Sequence, residues 1–392
     1  MRIYFFPFLM DLTVFAVLMR VVDASGRSLG FTDGEAAWLM TSFTLAYLVG
    51  SLAVGQFLTR ANARRSLLLA TGACMILGSG LFFAQHYWLI LAELAAFGLA
   101  TAAFFNAFQT FMRGESPPGS LLQVTARYTL SWSLGIGCGN LLAGLLLQLD
   151  RPWLLAGLTS AACLTVAILT ITYKPQSESE SADGQVDHGG GDPSLAARYV
   201  WIGWGLILVA NICVAPIRTF VPKALAEFGS PAWLGGLMLF TLFAVQALVG
   251  FAVQYRRGLF YRPGPVLIGQ GILVAGLACI VFVPGTAGLF ALCLLVGSVS
   301  GFVYTASVYY AANAADSSRN IGINESLVAV GGIAGMLLPA WGMYLSGRKD
   351  AWGLVSAGLI VILILIQGWW LLRRPAAAPA LADDLAAEPP AP

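Results

Sequence analysis

The stretch KPQSESESADGQVDHGGGDPSLAAR, Lys174 to Arg198, is the one long interior segment that a lipid bilayer would reject. It is rich in Ser, Asp, Glu and Gly and has no aromatic residue. It has too little apolar surface to offset the entropy of ordering, so it reads as a flexible linker. On either side lie about 175 residues of mostly apolar chain. The sequence therefore divides into an apolar half 1–173, a polar linker 174–197, a second apolar half 198–374 and a tail 375–392. The tail is Pro, Ala and acid, and is expected to be disordered.

Composition narrows the function classes. Of 392 residues, 58% are hydrophobic and only 10% charged, with a mean hydropathy of +0.79. A soluble domain carries about 25% charged residues, so this is a membrane protein and not a large globular enzyme. The net charge of +2 and the lack of a Lys/Arg block argue against nucleic acid as a partner. Cys74, Cys138, Cys163, Cys213, Cys279 and Cys293 are scattered singly through apolar segments and read as free thiols. His86 and His188 lie far apart. No metal cluster, nucleophile–base pair or phosphate-cradling loop is legible, so no cofactor, no metal and no enzymatic activity are expected. Arg2 and the apolar run after it resemble a signal peptide, but Asp11 interrupts the run and no cleavage site follows. It reads as an uncleaved first span.

A bilayer core of about 30 Å needs roughly 20 apolar residues of helix. Candidate spans lie near Ile3–Val22, Glu35–Leu58, Ser66–Ala84, Trp88–Met112, Leu121–Leu149 and Trp153–Tyr173. After the linker come Tyr199–Val221, Trp233–Val253, Val266–Pro284, Ala287–Ala312, Ile321–Leu345 and Trp352–Leu372. The runs do not alternate in polarity as barrel strands do, so an all-α polytopic protein of twelve spans is predicted. Loops on the side of the N-terminus hold Arg60, Arg64, Arg65, Arg113, Lys174, Arg198, Arg256, Arg257, Arg262 and Arg319, and Arg373 and Arg374 follow the last span. The opposite side holds Arg27, Arg151, Lys223, Arg348 and Lys349. Positive charge marks the cytoplasmic side, so both termini and the linker are expected in the cytoplasm, and a bacterial inner membrane is the expected location.

The two halves echo one another. Trp38-Leu39 precedes Gly55 by 17 positions, and Trp233-Leu234 precedes Gly250 by the same 17. Gly135 and Gly139 of the fifth span recur as Gly331 and Gly335 of the eleventh, an offset of 196. Between the second and third spans stand Gly55, Leu58, Thr59, Arg60, Asn62, Arg64 and Arg65, a partial match to the pattern Gly-x-x-x-Asp-Arg-x-Gly-Arg-Arg. On these marks the chain resembles the major facilitator superfamily over everything but its C-terminal tail. The resemblance implies two pseudo-symmetric six-helix bundles rocking about a site between them.

The local motifs depart from the family pattern. Thr59 stands where the family has an acid, and Asn62 where it has a second glycine. In the family that acid is implied to hold a cytoplasmic gate against the eleventh helix, so Gly55, Thr59, Arg60 and Arg64 are the candidate gating loop. Thr59 still offers a capping hydroxyl, and Asn62 is the best non-glycine residue for a left-handed turn. The arginine that proton-coupled members carry four residues before a glycine of the fourth span is absent, with Leu94 before Gly98. In the fifth span, Gly135, Gly139, Asn140 and Gly144 resemble the antiporter motif with Asn replacing its Pro.

Ionisable groups inside a bilayer are expensive and are functional candidates by default. Asp11 lies about 14 Å along its helix from Arg2, near the membrane middle. Glu93 and Glu325 sit about two turns into the fourth and eleventh spans. All three are candidates for proton coupling, with interhelical hydrogen bonding as the structural alternative. For Glu325 that alternative is an ion pair with Arg319 or the Arg60–Arg65 loop. Arg20 and Arg218 can snorkel outward; Arg218 follows Pro216, where a broken helix would turn it inward onto an anionic group. Arg127 faces the same choice at the cytoplasmic side. Asn106, Gln109, Asn211 and Tyr304, with Tyr309, Tyr310 and Asn313, complete the polar set. The candidate substrate-binding residues are Asp11, Asn106, Gln109, Asn211, Arg218 and Tyr304. Tyr309 and Tyr310 are about 100° apart on a helix, so at least one meets another helix or lipid.

The sequence thus predicts a monomeric secondary transporter of a small organic solute, working by alternating access and coupled to protons. Import and efflux share one architecture, and efflux is favoured. An uncoupled facilitator and a transport-inactive scaffold or sensor are the alternatives.

Overall fold

A computed structural model describes residues 2–27, 33–115, 120–149, 151–174, 193–227, 231–279, 285–314, 316–348 and 350–373. The body of the linker with His188, the tail, Lys349 and Arg374 lie outside these residues.

Twelve helices follow in order. The first six are α1 (Phe5–Arg27), α2 (Asp33–Phe57), α3 (Arg60–Gly80), α4 (Tyr87–Gly114), α5 (Leu121–Gln148) and α6 (Pro152–Thr172). The second six are α7 (Pro193–Glu227), α8 (Ala232–Ala252), α9 (Pro263–Cys279), α10 (Thr286–Ala312), α11 (Ser317–Ser346) and α12 (Ala351–Arg373). No strand occurs among the described residues, as expected where hydrocarbon leaves every backbone group to be satisfied within its own segment. Among the described residues, nine of the helices are long and apolar enough to cross a membrane. Of the other three, α1 carries Asp11 and Arg20, α3 opens on Arg60, Arg64 and Arg65, and α9 is a shorter apolar helix.

Helix ends shift by several residues from the sequence expectation, and α7 departs in two ways. α7 begins at Pro193, inside the segment read as linker, because proline is pre-set for the first helical turn and Leu195-Ala-Ala extends it. α7 also runs unbroken through Pro216, so the turn of Arg218 toward the protein interior needs no break in the helix.

The two halves pack alike. α1 lies on α5, α2 on α4 and α3 on α6; α7 lies on α11, α8 on α10 and α9 on α12. Across the halves α5 meets α8 and α2 meets α11. Exchanging α1–α6 for α7–α12 turns each pair into another of the set, which is what a pseudo-twofold requires.

The duplicated glycines explain the equivalent crossings. A Cβ on Gly135 would run into the Phe8 carbonyl, and one on Gly139 would lie 2.7 Å from the Leu12 carbonyl, both on α1. In the second half a Cβ on Gly331 would lie 2.9 Å from the Leu208 carbonyl and one on Gly335 2.8 Å from the Ile212 Cα, both on α7. Small residues let these backbones touch. At the periphery α6 exposes Leu164, Ile168 and Ile171, and α12 exposes Ile362, Leu365, Ile366 and Trp369, a surface suited to lipid.

Candidate functional site at the centre of the bundles

Seven helices, α1, α2, α4, α5, α7, α10 and α11, bring polar side chains to the middle of the protein. On the side of the Arg60–Arg65 loop is a cluster around Glu325 of α11. Its Oε1 accepts a hydrogen bond from Gln109 Nε2 of α4 at 2.5 Å, and its Oε2 accepts one from the hydroxyl of Tyr47 of α2. Gln109 Nε2 also reaches Tyr128 Oη of α5 at 3.1 Å. A carboxylate of the second half is thus held by donors of the first, rather than by Arg319, which is exposed, or by the Arg60–Arg65 loop. The physical reason is depth: Glu325 sits more than two turns into α11, level with Tyr47 and Gln109.

Above this cluster, Tyr304 Oη of α10 donates to Asn211 Oδ1 of α7 at 2.9 Å, and the Trp132 ring of α5 meets the Tyr304 ring edge-on at 4.8 Å. Asn211 and Asn106 return their amide groups to the carbonyls four residues back, Ile207 and Ala102. Asp11 of α1 lies where it feels the charges of both Glu325 and Arg218. The Arg218 guanidinium of α7 stands 4.3 Å from the centre of the Phe15 ring of α1, a cation–π contact directed into the protein, so Arg218 does not snorkel outward. Asp11, Asn106, Gln109, Asn211, Tyr304 and Glu325 are none of them more than 7% exposed, whereas Arg218 is half-buried.

The other candidates lie elsewhere. Glu93 is half-buried toward the outer end of α4, where a Cβ on Gly80 of α3 would lie 3.3 Å from its Oε1. Tyr309, Tyr310 and Asn313 belong to an aromatic cluster at the end of α10. There Tyr310 Oη accepts from the Tyr261 backbone N–H at 3.1 Å, and Asn313 Nδ2 donates to Tyr261 Oη at 2.7 Å. Arg127 lies 6.0 Å from the centre of the Tyr4 ring at the same end.

In the loop between α2 and α3, Thr59 caps α3. Its hydroxyl accepts from Asn62 N–H at 3.4 Å, and Asn62 Oδ1 accepts from Thr59 N–H at 2.7 Å. Asn62 is therefore helical and closes a capping box, not a left-handed turn. Arg60 pairs with Glu115 at 3.6 Å, and Arg64 donates to the Thr170 and Ile171 carbonyls at the end of α6, at 3.2 and 2.9 Å. Gly55 reaches the other half: a Cβ there would lie 2.9 Å from the Gly322 Cα of α11.

Sequence reasoning passed over Tyr47, Tyr128, Trp132 and Phe15. It also passed over Gln246 of α8, which donates to Ser133 Oγ of α5 at 2.8 Å and accepts from Ser300 of α10 at 2.9 Å. The available signal was a hydroxyl or amide deep inside an otherwise apolar span.

The Major Facilitator Superfamily model matches residues 3–320, well over half the chain. The chain belongs to this superfamily. Among solved structures it is similar to the human organic anion transporter MFSD10 (TETRAN), with a TM-score of 0.68 and 16% identity over 93% of this chain and 97% of that one. It is also similar to the E. coli fucose:proton symporter FucP, with a TM-score of 0.63 and 16% identity over 94% and 99%. At that identity the likeness is one of fold. No curated protein matches the sequence significantly. Family and helix composition together make this superfamily member an integral membrane protein of the transporter class.

Proposed function

We propose that this protein is a secondary transporter that carries a small organic solute by alternating access, with the solute bound among Asp11, Asn106, Gln109, Asn211, Arg218 and Tyr304. The observation that carries the reading is a buried polar centre contributed by both halves, with Glu325 bonded across the division. A buried carboxylate in a bilayer is expensive unless it serves a purpose, and one whose donors all come from the opposite bundle changes surroundings when the bundles rock. Asp11 and Glu325 are therefore proposed to carry the coupling proton. Glu93, away from the centre, is proposed to have no part in it.

Arg60, Arg64, Arg113, Arg256, Arg257 and Arg262 gather at one end of the helices, which supports cytoplasmic termini and a bacterial inner membrane. Reconstituted in liposomes, the protein should accumulate its solute only under a pH gradient, and Asp11→Asn should abolish accumulation. Equilibration without accumulation in the unsubstituted protein would mark an uncoupled facilitator. Gradient-driven transport unchanged by Asp11→Asn would refute the role of Asp11. Inside-out vesicles decide direction, with efflux the starting expectation.

A further inference from the structure

We propose that the solute is an organic monoanion whose carboxylate seats on Arg218 and whose apolar body lies toward Phe15, Trp132 and Tyr304. This deepens the central-site reading and rests on it. A guanidinium has five N–H donors in a planar fork and cannot shed its proton, so buried in a protein it requires acceptors. Arg218 stands near the end of the apolar stretch Leu195–Val221 of α7, yet it makes no hydrogen bond or ion pair with any described residue; its close partner is the Phe15 ring beneath it at 4.3 Å. Its side chain is half-buried while its neighbours Asp11, Asn211 and Tyr304 are buried, so its free edge borders accessible space. A ring under one face leaves the edge of the fork open, and that edge matches a carboxylate in two parallel hydrogen bonds.

Charge counting selects the class. The groups around Arg218 and Asp11 that ionise are Tyr47 of α2, Tyr128 of α5, Tyr304 of α10 and Glu325 of α11. Among α4 and α6, which also pack on α1, Gln109 is neutral and the Cys163 thiol lies against Thr13. Both oxygens of Glu325 are already occupied by Tyr47 and Gln109. Asp11 is the carboxylate left to compete with a bound anion. A second anionic group on the solute would find no second cation among these residues. A cation would be drawn to Asp11 but repelled by Arg218.

The anion and a proton on Asp11 then bind with mutual reinforcement, since protonation removes the repulsion between the two carboxylates; the two would move together, which favours proton-driven uptake over the efflux expected from the sequence. Affinity for the anion should rise as pH falls.

Calorimetric binding to the purified, full-length protein in detergent tests this with matched probes. Benzoate and 1-naphthoate are compared with their amides and the corresponding arylmethylamines, with chloride as an ionic control, at mildly acidic and neutral pH. The carboxylates should bind and the amides and amines should not. Arg218→Gln should weaken the carboxylates by roughly 30-fold or more, with Arg218→Lys recovering part of the loss. Asp11→Asn should keep binding but remove its pH dependence, because an amide stands in for the neutral acid. Unliganded melting curves check that each variant is folded.

If amides or amines bind as well as carboxylates and Arg218→Gln leaves them unchanged, the monoanion proposal fails while the central solute site stands. Equal heats from chloride alone would make Arg218 an inorganic-anion site and overturn the organic class. Binding by none of the probes would overturn the monoanion proposal, and a solute later transported without protection of the centre would overturn the site itself.

Discussion

Tyr47 and Gln109 show how much a single donor can matter when its acceptor belongs to the other bundle. A hydrogen bond to a charged group contributes about 1.5–3 kcal/mol in soluble proteins. Interhelical bonds in membranes average nearer 0.6 kcal/mol, because the separated helices find other partners. For Tyr47→Phe the smaller figure should govern total stability, so detergent melting should fall by only a few degrees. The larger effect should be on the equilibrium between states, since the bond to Glu325 joins α2 to α11 and is expected to break when these helices part. Spin-label distances between the Phe57 end of α2 and the Ser317 end of α11 should lengthen. An unchanged distance distribution would show that the bond does not hold the two halves together. Thr59 is a second case. Thr59→Ala should cost about 1 kcal/mol through loss of the cap on α3, whereas Thr59→Asp should keep it, since a carboxylate caps a helix and suits its N-terminal dipole. Melting temperatures of the two variants read the difference directly.

At the scale of the helix, the paired glycines decide which elements can touch. Gly335→Val should prevent α11 from seating on α7, because a Cβ there is only 2.8 Å from the Ile212 Cα and backbone cannot step aside as a side chain can. Loss of the monodisperse peak in size-exclusion chromatography is the expected result. Gly332, three residues earlier on the same helix, has nothing within 4 Å of its Cβ position. Gly332→Ala should therefore be tolerated and gain up to about 1 kcal/mol of helix propensity. Equal damage from the two substitutions would mean that close approach is not what the glycine pair provides. The spacing of the pair was legible in the sequence, but the helix it meets was not. Nothing local to Gly331 and Gly335 names α7.

For the molecule as a whole, the state captured is one in which the helix ends on the Arg60 side are tied across the two halves. Gly55 of α2 abuts Gly322 of α11, and Arg113 Nε of α4 donates to the Ala312 carbonyl at the end of α10 at 2.9 Å. A wedge at the first of these contacts should act on the whole transporter. Gly55→Leu should leave a folded protein in which the ends of α2 and α11 around Gly55 and Gly322 stay apart, with thiol reagents reaching a cysteine placed at Tyr128 and with transport reduced. Full transport by Gly55→Leu would show that closure does not pass through this crossing.

Sequence alone determined the membrane class, the twelve helices and the duplicated halves, because the hydropathy of a span and the offset of a repeat are properties of neighbouring residues. It also named Asp11, Glu325, Arg218, Asn211 and Tyr304, since an ionisable or amide group in an apolar run is visible without partners. Only the tertiary structure decided which of these meet. Tyr47 and Glu325 are 278 positions apart and Gln109 and Glu325 are 216. Contact between them depends on the depth and rotation of helices from different halves, which no local pattern encodes. The same geometry separated Glu93 from Glu325, two carboxylates that read alike in the chain. It also turned Arg218 inward, on an unbroken helix, to face Asp11.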